Sequence, residues 1–308
     1  MSLSPWLTGL LLISLTGAHG LSHFPENFVI AKRNDNGPVT LTCREASEGT
    51  VVWKLNDEDV DFEDLDHYKS DGKNLIVSEI DAPLLGEYSC WTGEEKLSST
   101  FLLQEAEEQK AGDQNDKEQK DSFLSCRAKS YDCDFTCSWN NSHYTAVRLG
   151  VGQECATHQE SCHWVSSSDV RSEGSQFVLS HTLSPYAEES TKLEVTAEAT
   201  NSNFYFLSEN KKFYLRDIVV PDSPHIVRCQ EVDQELNVTI DPPSSWSTPH
   251  SFFSLEHEIE YVFRDDGSKR RSLSTLIPRG ISKLRVRSRD SVVLSPWSQW
   301  TPWKNVTH

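Results

Sequence analysis

The sequence predicts an all-β fold built of sandwiches. Short apolar runs such as Val39–Thr42, Val51–Leu55 and Leu75–Ile80 alternate with segments rich in Gly, Asp, Asn and Ser, which is the pattern of strands and turns. No stretch of useful length shows the 3.6-residue period of a helix with one apolar face. The chain has 308 residues, which is enough for two or three such sandwiches.

The N-terminal segment predicts export from the cell. The apolar stretch Leu7–Leu15 is too short to span a bilayer, and Ala18-His19-Gly20 has small residues where a signal peptidase cleaves. Residues 1–20 are therefore predicted to be a signal peptide. Because no second long apolar run follows, we expect a secreted, extracellular chain without a membrane anchor. The net charge of −18 argues against nucleic acid as a partner.

Residues 21–105 are predicted to form an immunoglobulin-like sandwich. Cys43 lies in the run VTLTC, Trp53 follows in VVWKL, and Tyr88 stands two residues before Cys90. A disulfide between two sheets, a tryptophan packed on it and a tyrosine just before the second cysteine are typical of that domain. The Cys43–Cys90 bridge should contribute about 4 kcal/mol by restricting the unfolded chain.

A second domain is predicted after a linker. Residues 106–121 contain no large apolar side chain, which favours an acidic polar linker over a helix that would have no face to bury. Residues 122–218 then open with FLSCRAKSYDCDFTCSW, in which Cys126 and Cys137 bracket ten residues. That spacing fits a disulfide across two neighbouring strands, and Trp139 follows in a strand rich in aromatic residues.

The remaining cysteines leave alternatives open. In an exported chain the eight cysteines are expected to pair at least in part, and the lack of a Cys-x-x-Cys pair argues against zinc, so we expect no metal and no cofactor. Cys133 pairs with either Cys155 or Cys162 on this reasoning. Cys229 is either a buried small apolar residue or the site of an interchain disulfide.

Residues 219–308 are predicted to form a fibronectin type III-like sandwich. Its entry, Val220–Pro224, contains two prolines that stiffen the joint with the preceding domain. Strands are predicted in LNVTI, SLEHEIEYVF and SKLRVRSRD. The domain ends in the motif Trp-Ser-Gln-Trp-Thr at residues 297–301.

This last domain combines alternating arginines with tryptophans spaced by three. Alternation on a strand places the arginines on one face, and a polyproline II segment points every third residue the same way. The two rows can interleave, and each cation–π contact contributes roughly 0.5–2 kcal/mol. The predicted ladder consists of Arg285, Arg287, Arg289, Trp297, Trp300 and Trp303.

The domain order, the run Cys-x10-Cys-x-Trp and the Trp-Ser-x-Trp-Thr motif resemble the soluble members of the class I cytokine-receptor family. The stretches that carry the resemblance are Phe123–Cys137, Phe213–Pro224, Trp246–Leu255 and Val286–Trp300. It implies an immunoglobulin-like sandwich followed by two fibronectin type III-like sandwiches in a bent rod. It also implies that a four-helix cytokine alpha subunit is held at the elbow between domains 2 and 3 and presented to a cell-surface cytokine receptor.

The resemblance also implies which residues contact the helical partner. The acidic residue that meets a partner arginine in the family corresponds to Asp290, and Val292 stands where the family has a tyrosine. The alternative for Asp290 is a turn aspartate, because it directly follows a predicted strand. The residues implied to bind the partner are Asp290, Glu188, Pro185, Tyr186, Phe252 and Val292.

Several positions are candidates for sugar. Three sequons agree with export and predict N-linked glycans, and Trp-x-x-Trp spacing is an acceptor pattern for C-linked mannose. A small basic cluster in a predicted hairpin turn is either solvated or, as the resemblance suggests, a contact for heparin-like glycans. These candidates are Asn140, Asn237 and Asn305, then Trp297 and Trp300, and finally Lys269, Arg270 and Arg271.

Three other classes of function compete with this one. Catalysis is not expected, since the chain has no H-E-x-x-H or G-x-S-x-G motif and no glycine-rich phosphate loop. Thrombospondin repeats share Trp-Ser-x-Trp but carry six clustered cysteines, which are absent here. A soluble cytokine-binding receptor stays the alternative to the expected beta subunit of a heterodimeric cytokine in immune signalling. The sequence leaves homodimer and heterodimer open.

Overall fold

The structure is a computed structural model in which strands dominate, which confirms the prediction of an all-β chain. The predicted signal peptide, residues 107–121 of the predicted linker and Thr307 of the last sequon lie outside the described residues. The residues that the structure describes are 21, 23–33, 37–46, 51–63, 66–106, 122–166, 170–171 and 174–306.

Contacts divide the chain into two compact units. Among the described residues, those up to residue 106 together with residues 200–205 form the first, and the others form the second. The predicted boundary at residue 219 therefore falls inside the second unit. Within the described residues the helical segments are short: a 3₁₀ turn at Ala82–Leu84 and the helices α1 (Gln153–Ala156) and α2 (Leu215–Ile218).

The first unit contains two sheets. In one, β7 lies between β3 and β8, β4 extends the β3 edge, and β1 pairs with β8 in parallel; in the other, β6 lies between β2 and β5. Most strands have only four residues, as expected from the short apolar runs. The bounds are β1 Phe28–Ala31, β2 Val39–Thr42, β3 Val52–Leu55, β4 Glu58–Asp59, β5 Tyr68–Asp71, β6 Asn74–Val77, β7 Gly86–Thr92 and β8 Glu95–Glu105.

The residues of the immunoglobulin pattern lie together in the core of this unit. Cys43 and Cys90 form a disulfide, and Trp53 is buried in the same cluster of side chains. The hydroxyl of Tyr88 donates to the carbonyl oxygen of Leu84 at 2.8 Å, which closes the turn before β7. Burial raises the pKa of Tyr88 well above its usual value, so this hydroxyl keeps its proton.

Residues 122–218 are called here the second module, and all of them except 200–205 belong to the second unit. The module forms two sheets. The strand orders are β12-β11-β15-β16 and β13-β14-β10-β9. Cys126 and Cys137 face each other across β9 and β10 and form a disulfide. The bounds are β9 Leu124–Arg127, β10 Asp134–Trp139, β11 Ala146–Val151, β12 Trp164–Ser166, β13 Val170–Arg171, β14 Gly174–Ser180, β15 Leu193–Thr200 and β16 Tyr205–Phe213.

Residues 219–308, the third module, also form two sheets. The strand orders are β17-β18-β21 and β20-β19-β22-β23. Alternating apolar residues of these strands build a separate core that includes Ile259, Leu284 and Val286. The bounds are β17 His225–Val232, β18 Glu235–Asp241, β19 Leu255–Phe263, β20 Lys269–Ser272, β21 Leu276–Pro278, β22 Ile281–Asp290 and β23 Lys304–Asn305.

Candidate functional site

The joint between the second and third modules is tied by backbone and charged groups. The amide of Ala128 donates to Ile218, and the amide of Val220 donates back to Ala128 at 2.8 Å. The guanidinium of Arg127 donates to the carbonyl of Val220 and to the carboxylate of Asp222 at 3.0 Å. Because the two prolines of this segment restrict its backbone as well, the elbow is a braced joint.

Aromatic side chains fill the space beneath the joint. Trp246 and Phe253 belong to the third module but pack into the core cluster of the second. The indole N–H of Trp246 donates to the carbonyl of Phe253 at 2.8 Å, and the ring of Tyr131 stacks on Phe253 at 5.6 Å. The two modules therefore share buried apolar surface, which explains why contacts group them in one unit.

Large apolar side chains remain exposed above this core. Phe252 is 55% exposed and Val292 is 75% exposed, although both lie beside buried groups. Tyr186 packs on Phe252 with 5.4 Å between ring centroids. Exposed apolar residues that cluster in this way mark interaction sites. The elbow surface, as this group is called below, consists of Tyr186, Phe252, Val292, Val293 and Leu294.

Hydrogen bonds hold the loops of the elbow surface in place. The hydroxyl of Tyr186 donates to the carbonyl of Thr248 at 3.0 Å, and the amide of Ser291 donates to the carbonyl of Ser254. Leu294 adopts a left-handed backbone with a φ of 51°, which is uncommon for a residue with a side chain. Such a conformation persists only where its surroundings impose it, so the loop is preorganised.

Asp290 lies beneath this surface and is not an open carboxylate. Its side chain is buried, with 3% of the residue exposed. Oδ1 accepts from the amides of Val292 and Val293 at 2.7 and 3.0 Å, and Oδ2 accepts from the hydroxyl of Tyr131 at 3.0 Å. The bonding of Oδ1 to these two amides is that of a turn aspartate, which was the alternative interpretation of Asp290. Both oxygens of Asp290 already accept hydrogen bonds in this conformation, and its binding of a partner arginine stays a prediction.

A pocket opens beside the elbow surface on the second module. Its volume is about 130 Å³, and its lining includes Tyr131, Pro185 and Glu188. Glu188 is exposed, whereas Glu189 accepts from the amide of Leu215 and from the guanidinium of Arg216. Of these two carboxylates, Glu188 is therefore the one that faces solvent.

The arginine and tryptophan rows of the third module interleave. Along β22 the apolar residues face the core, and the arginines between them face outward. Distances from each guanidinium carbon to the ring centres beside it lie between 4.5 and 4.8 Å. In order, Arg289 lies over Trp297, Arg287 between Trp297 and Trp300, and Arg285 between Trp300 and Trp303.

Hydroxyl groups of the Trp-Ser-Gln-Trp-Thr motif dock the tryptophan segment on β22. Ser298 donates its amide to the carbonyl of Ser288 and accepts the amide of Ser288 on its hydroxyl. Thr301 repeats both contacts with Val286, at 2.8 and 2.9 Å. Because this contact uses only the hydroxyl oxygen, Thr301 accepts a backbone amide in the same way as Ser298 does.

Sequence reasoning missed a third row, made of glutamates on β19. Each of them lies opposite one arginine of β22 and accepts from its Nε at 2.6 or 2.7 Å. Their alternation in LEHEIEYVF was the available signal, since it matches the arginine spacing of two. The pairs are Glu256 with Arg289, Glu258 with Arg287, and Glu260 with Arg285.

The pH dependence of stability follows from Glu260. Burial alone raises the pKa of Glu260, but hydrogen bonds and positive charge from Arg271 and Arg285 outweigh it and lower the pKa. A lowered pKa stabilises the fold above the unfolded value of roughly 4.3, and this contribution is lost as the pH falls through the folded pKa.

We therefore expect Glu260→Gln to lower the thermal midpoint at pH 7 and to have a smaller effect near pH 3. Thermal unfolding of both proteins across this range measures the difference. Glu235→Gln, at an exposed position on β18, is the control. A constant difference from pH 3 to pH 7 would contradict the assignment.

Comparisons with known proteins agree with this architecture. A family model described as the C-terminus of cytokine interleukin-12p40 matches residues 121–201. The chain is 30% identical to the interleukin-12 subunit beta of Ovis aries over 85% of its own length and 84% of that protein. The chain belongs to the interleukin-12 subunit beta family. The Homo sapiens and Felis catus proteins of that name are 28% and 29% identical to it with the same coverage.

The relatives named interleukin-12 subunit beta are cytokine subunits. The observed elbow and ladder are thus features of a cytokine subunit. Among the residues that the structure describes, none of the helices has the length and apolar composition that a membrane span requires.

The remaining cysteines of this family member differ from the expected pairing. Cys155 and Cys162 form a disulfide with each other, so Cys133, which was expected to pair with one of them, is a free and exposed thiol. Cys229 packs against the core of the third module. Burial raises the pKa of its thiol, which favours the interpretation as a small apolar residue over an interchain disulfide.

Candidate sugar sites of the chain lie in different surroundings. Asn140 and Asn305 are exposed, and Asn237 lies half-buried on β18. The Nε of Arg271 donates to the carboxylate of Glu260 at 2.9 Å, and its guanidinium carbon lies 5.5 Å from the ring centre of Trp300. All three residues of the basic cluster are exposed, and the guanidinium of Arg271 is already paired with a carboxylate.

Proposed function

We propose that the chain is the secreted, receptor-like beta subunit of a heterodimeric cytokine. It holds a four-helix alpha subunit, interleukin-12 alpha-like or interleukin-23 alpha-like, at the elbow surface and presents it to a cell-surface receptor in immune signalling. The observation that carries this proposal is the elbow surface itself, where large apolar side chains are exposed on hydrogen-bonded loops.

The chemistry of this surface suits the apolar stripe of a helix. Phe252 and Tyr186 project from two different loops and touch each other, so they offer one continuous aromatic contact. Exposed aromatic side chains of this kind dominate binding energy when a partner excludes water from them. Since the loops are already braced, little conformational entropy is lost on binding. Glu188 at the neighbouring pocket favours a basic residue beside that stripe.

The same proposal covers export and modification. We expect N-linked glycans at Asn140, Asn237 and Asn305 and C-linked mannose at Trp297. A weak contact with heparin-like glycans stays a prediction, carried mainly by Lys269 and Arg270, which are exposed.

Substituting Phe252 tests the site. We expect Phe252→Asp to weaken binding of the alpha subunit at least tenfold, because the change puts a charge where a partner's apolar side chains must lose water. Leu273→Asp is the matched control, since Leu273 is similarly exposed (58%) but lies outside the elbow surface. Binding is measured by surface plasmon resonance with alpha subunits of the same species, and thermal midpoints check folding. Equal losses in both variants would refute the elbow as the binding site.

Co-expression separates the subunit from the alternative, a soluble cytokine-binding receptor. For a subunit, we expect the alpha chain to reach the medium only together with this chain, as a stable complex. Independent secretion of the alpha chain, followed by reversible capture, would identify a receptor instead.

A further inference from the structure

His181 is a buried histidine that directly follows β14 of the second module. Only 6% of the residue is exposed, and its ring centre lies 6.1 Å from that of Phe135. Its backbone amide donates to the carbonyl of Cys133 at 2.8 Å. Within the described residues, its Nε2 is buried without a hydrogen-bond partner. A ring in such surroundings has few groups that could stabilise a positive charge on it.

One hydrogen bond fixes the protonation state of this ring. Nδ1 of His181 accepts from the backbone amide of Leu183 at 3.2 Å. A nitrogen that accepts carries no proton, so the ring is neutral and its proton lies on Nε2. Protonation would turn Nδ1 into a donor that points at the N–H of Leu183. The charged ring would therefore lose this hydrogen bond and remain as a buried cation.

The charged groups around the ring oppose this effect only in part. Burial lowers the pKa of His181, whereas the backbone carbonyl of Asp132 and the carboxylates of Asp134 and Glu189 raise it by less. Glu189 is itself paired with Arg216. The unfolded chain takes up the proton near pH 6.5, and the folded chain does so only at a lower pH. The stability of the fold therefore decreases as the pH falls below roughly 6.5.

The hydrogen bond to Leu183 begins a segment that supplies one side of the elbow. Residues 182–188 line one side of the pocket on the second module and carry Tyr186 of the elbow surface. Glu189 anchors the far end of the segment by accepting from the amide of Leu215. Between the two ends, the amides of Tyr186 and Ala187 donate within the segment over long distances of 3.4 and 3.3 Å. The near end therefore depends on the neutral ring of His181.

We propose that His181 is an acid-sensitive latch: in acid its ring takes up a proton, the hydrogen bond from the Leu183 amide breaks, and residues 182–188 detach from the second module. Tyr186 then no longer meets Phe252 in a fixed position, so the elbow surface loses its preorganised aromatic contact. The latch is a property of the free chain. Its consequence, that the helical partner is held at neutral pH and released in acid, rests on the proposed function.

Hydrogen exchange of the free chain tests the latch. After correction for the intrinsic pH dependence of exchange, we expect the amides of residues 182–188 to exchange about tenfold faster at pH 5 than at pH 7.5, as for one unit of pKa difference. His181→Asn should abolish this difference, because its Oδ1 can accept from the amide two residues later but does not titrate. His225→Asn, at an exposed histidine of the third module, should retain it.

Two results of this experiment would overturn the latch. The first is an exchange ratio that does not change with pH in the unsubstituted chain, a measurement that requires no variant. The second is a His181→Asn chain that is folded at pH 7.5, as its thermal midpoint shows, and still exchanges about tenfold faster in acid.

Binding at the same two pH values tests the consequence for the partner. The probes are purified interleukin-12 alpha-like and interleukin-23 alpha-like chains of the same species. The loss of affinity from pH 7.5 to pH 5 should be about tenfold larger for the unsubstituted chain than for His181→Asn, and titration of the probe itself cancels in this comparison. Equal losses in both chains would refute release by the latch. Failure to bind any helical probe at pH 7.5 would instead overturn the proposed function and leave the exchange result in place.

Discussion

Arg287→Ala is expected to lower the free energy of unfolding by about 3 kcal/mol, the low end of the range for breaking a buried ion pair. Arg287 lies between Trp297 and Trp300, and its Nε donates to Glu258 at 2.6 Å. The side chains of Arg287 and Glu258 are 21% and 15% exposed. Removing the arginine leaves the glutamate largely buried without its cation and takes away the group between two indole rings.

Chemical denaturation of the purified variants measures this effect. Arg270→Ala is the control, because Arg270 is an exposed arginine on β20 of the same sheet. Its loss should stay within about 0.5 kcal/mol, as for most surface substitutions. A loss below about 1 kcal/mol for Arg287→Ala would show that the ladder contributes no more to stability than an ordinary surface ion pair.

Arg287→Lys separates the two contributions. Lysine keeps the positive charge, but it has no planar group to lie between two rings and no rigid fork of donors for Glu258. We expect an intermediate loss of about 1.5 kcal/mol if stacking and the ion pair contribute equally. A loss as large as that of alanine would assign the effect to planarity alone.

The ladder was largely predictable because its signals are periodic. A spacing of two places Arg285, Arg287 and Arg289 on one face, and a spacing of three does the same for the tryptophans. The glutamate row has the same spacing of two. Its role depends on pairing between β19 and β22, however, and local periodicity does not specify which strands become neighbours.

The state of Asp290 was not predictable from its own segment. Its position after a strand indicates a turn aspartate, and its resemblance to the family indicates a binding residue. The group that covers it, Tyr131, is 159 positions away in the sequence. No local pattern links the two, so the accessibility of the carboxylate becomes visible only once both modules are assembled.

The cysteines show a similar limit. Cys43 and Cys90 were assigned from a pattern in which tryptophan and tyrosine give independent support. Cys133, Cys155 and Cys162 had no such support, and α1 with the turn after it brings Cys155 to Cys162. Short-range pairing of this kind depends on loop conformation, which spacing alone does not determine.

Trp246→Ala is expected to destabilise the second unit by about 4 kcal/mol, as large substitutions of buried tryptophans do. Trp246 is 3% exposed and lies in the core of the second module, although its own segment belongs to the third. The change also removes the donor to the carbonyl of Phe253. Both the cavity and the unpaired carbonyl lie beneath the elbow surface.

The number of unfolding transitions in Trp246→Ala shows whether the two modules share one core or are joined only by a hinge. If the two modules unfold as one cooperative unit, calorimetry of Trp246→Ala should show a single transition of the second unit at lower temperature. Trp91→Ala, at a half-buried tryptophan of the first unit, should leave that transition in place. Two separate transitions in Trp246→Ala, or a loss below about 1 kcal/mol, would mean that the modules are stabilised independently.

A cooperative result has a consequence for binding. Phe252 and Tyr186 can present a rigid surface only if Phe253, directly beneath them, is held by Trp246. A partner that meets such a surface does not have to order it first. Trp246→Ala should therefore also weaken binding of the alpha subunit at temperatures where the chain is still folded, although Trp246 itself is buried and out of the partner's reach.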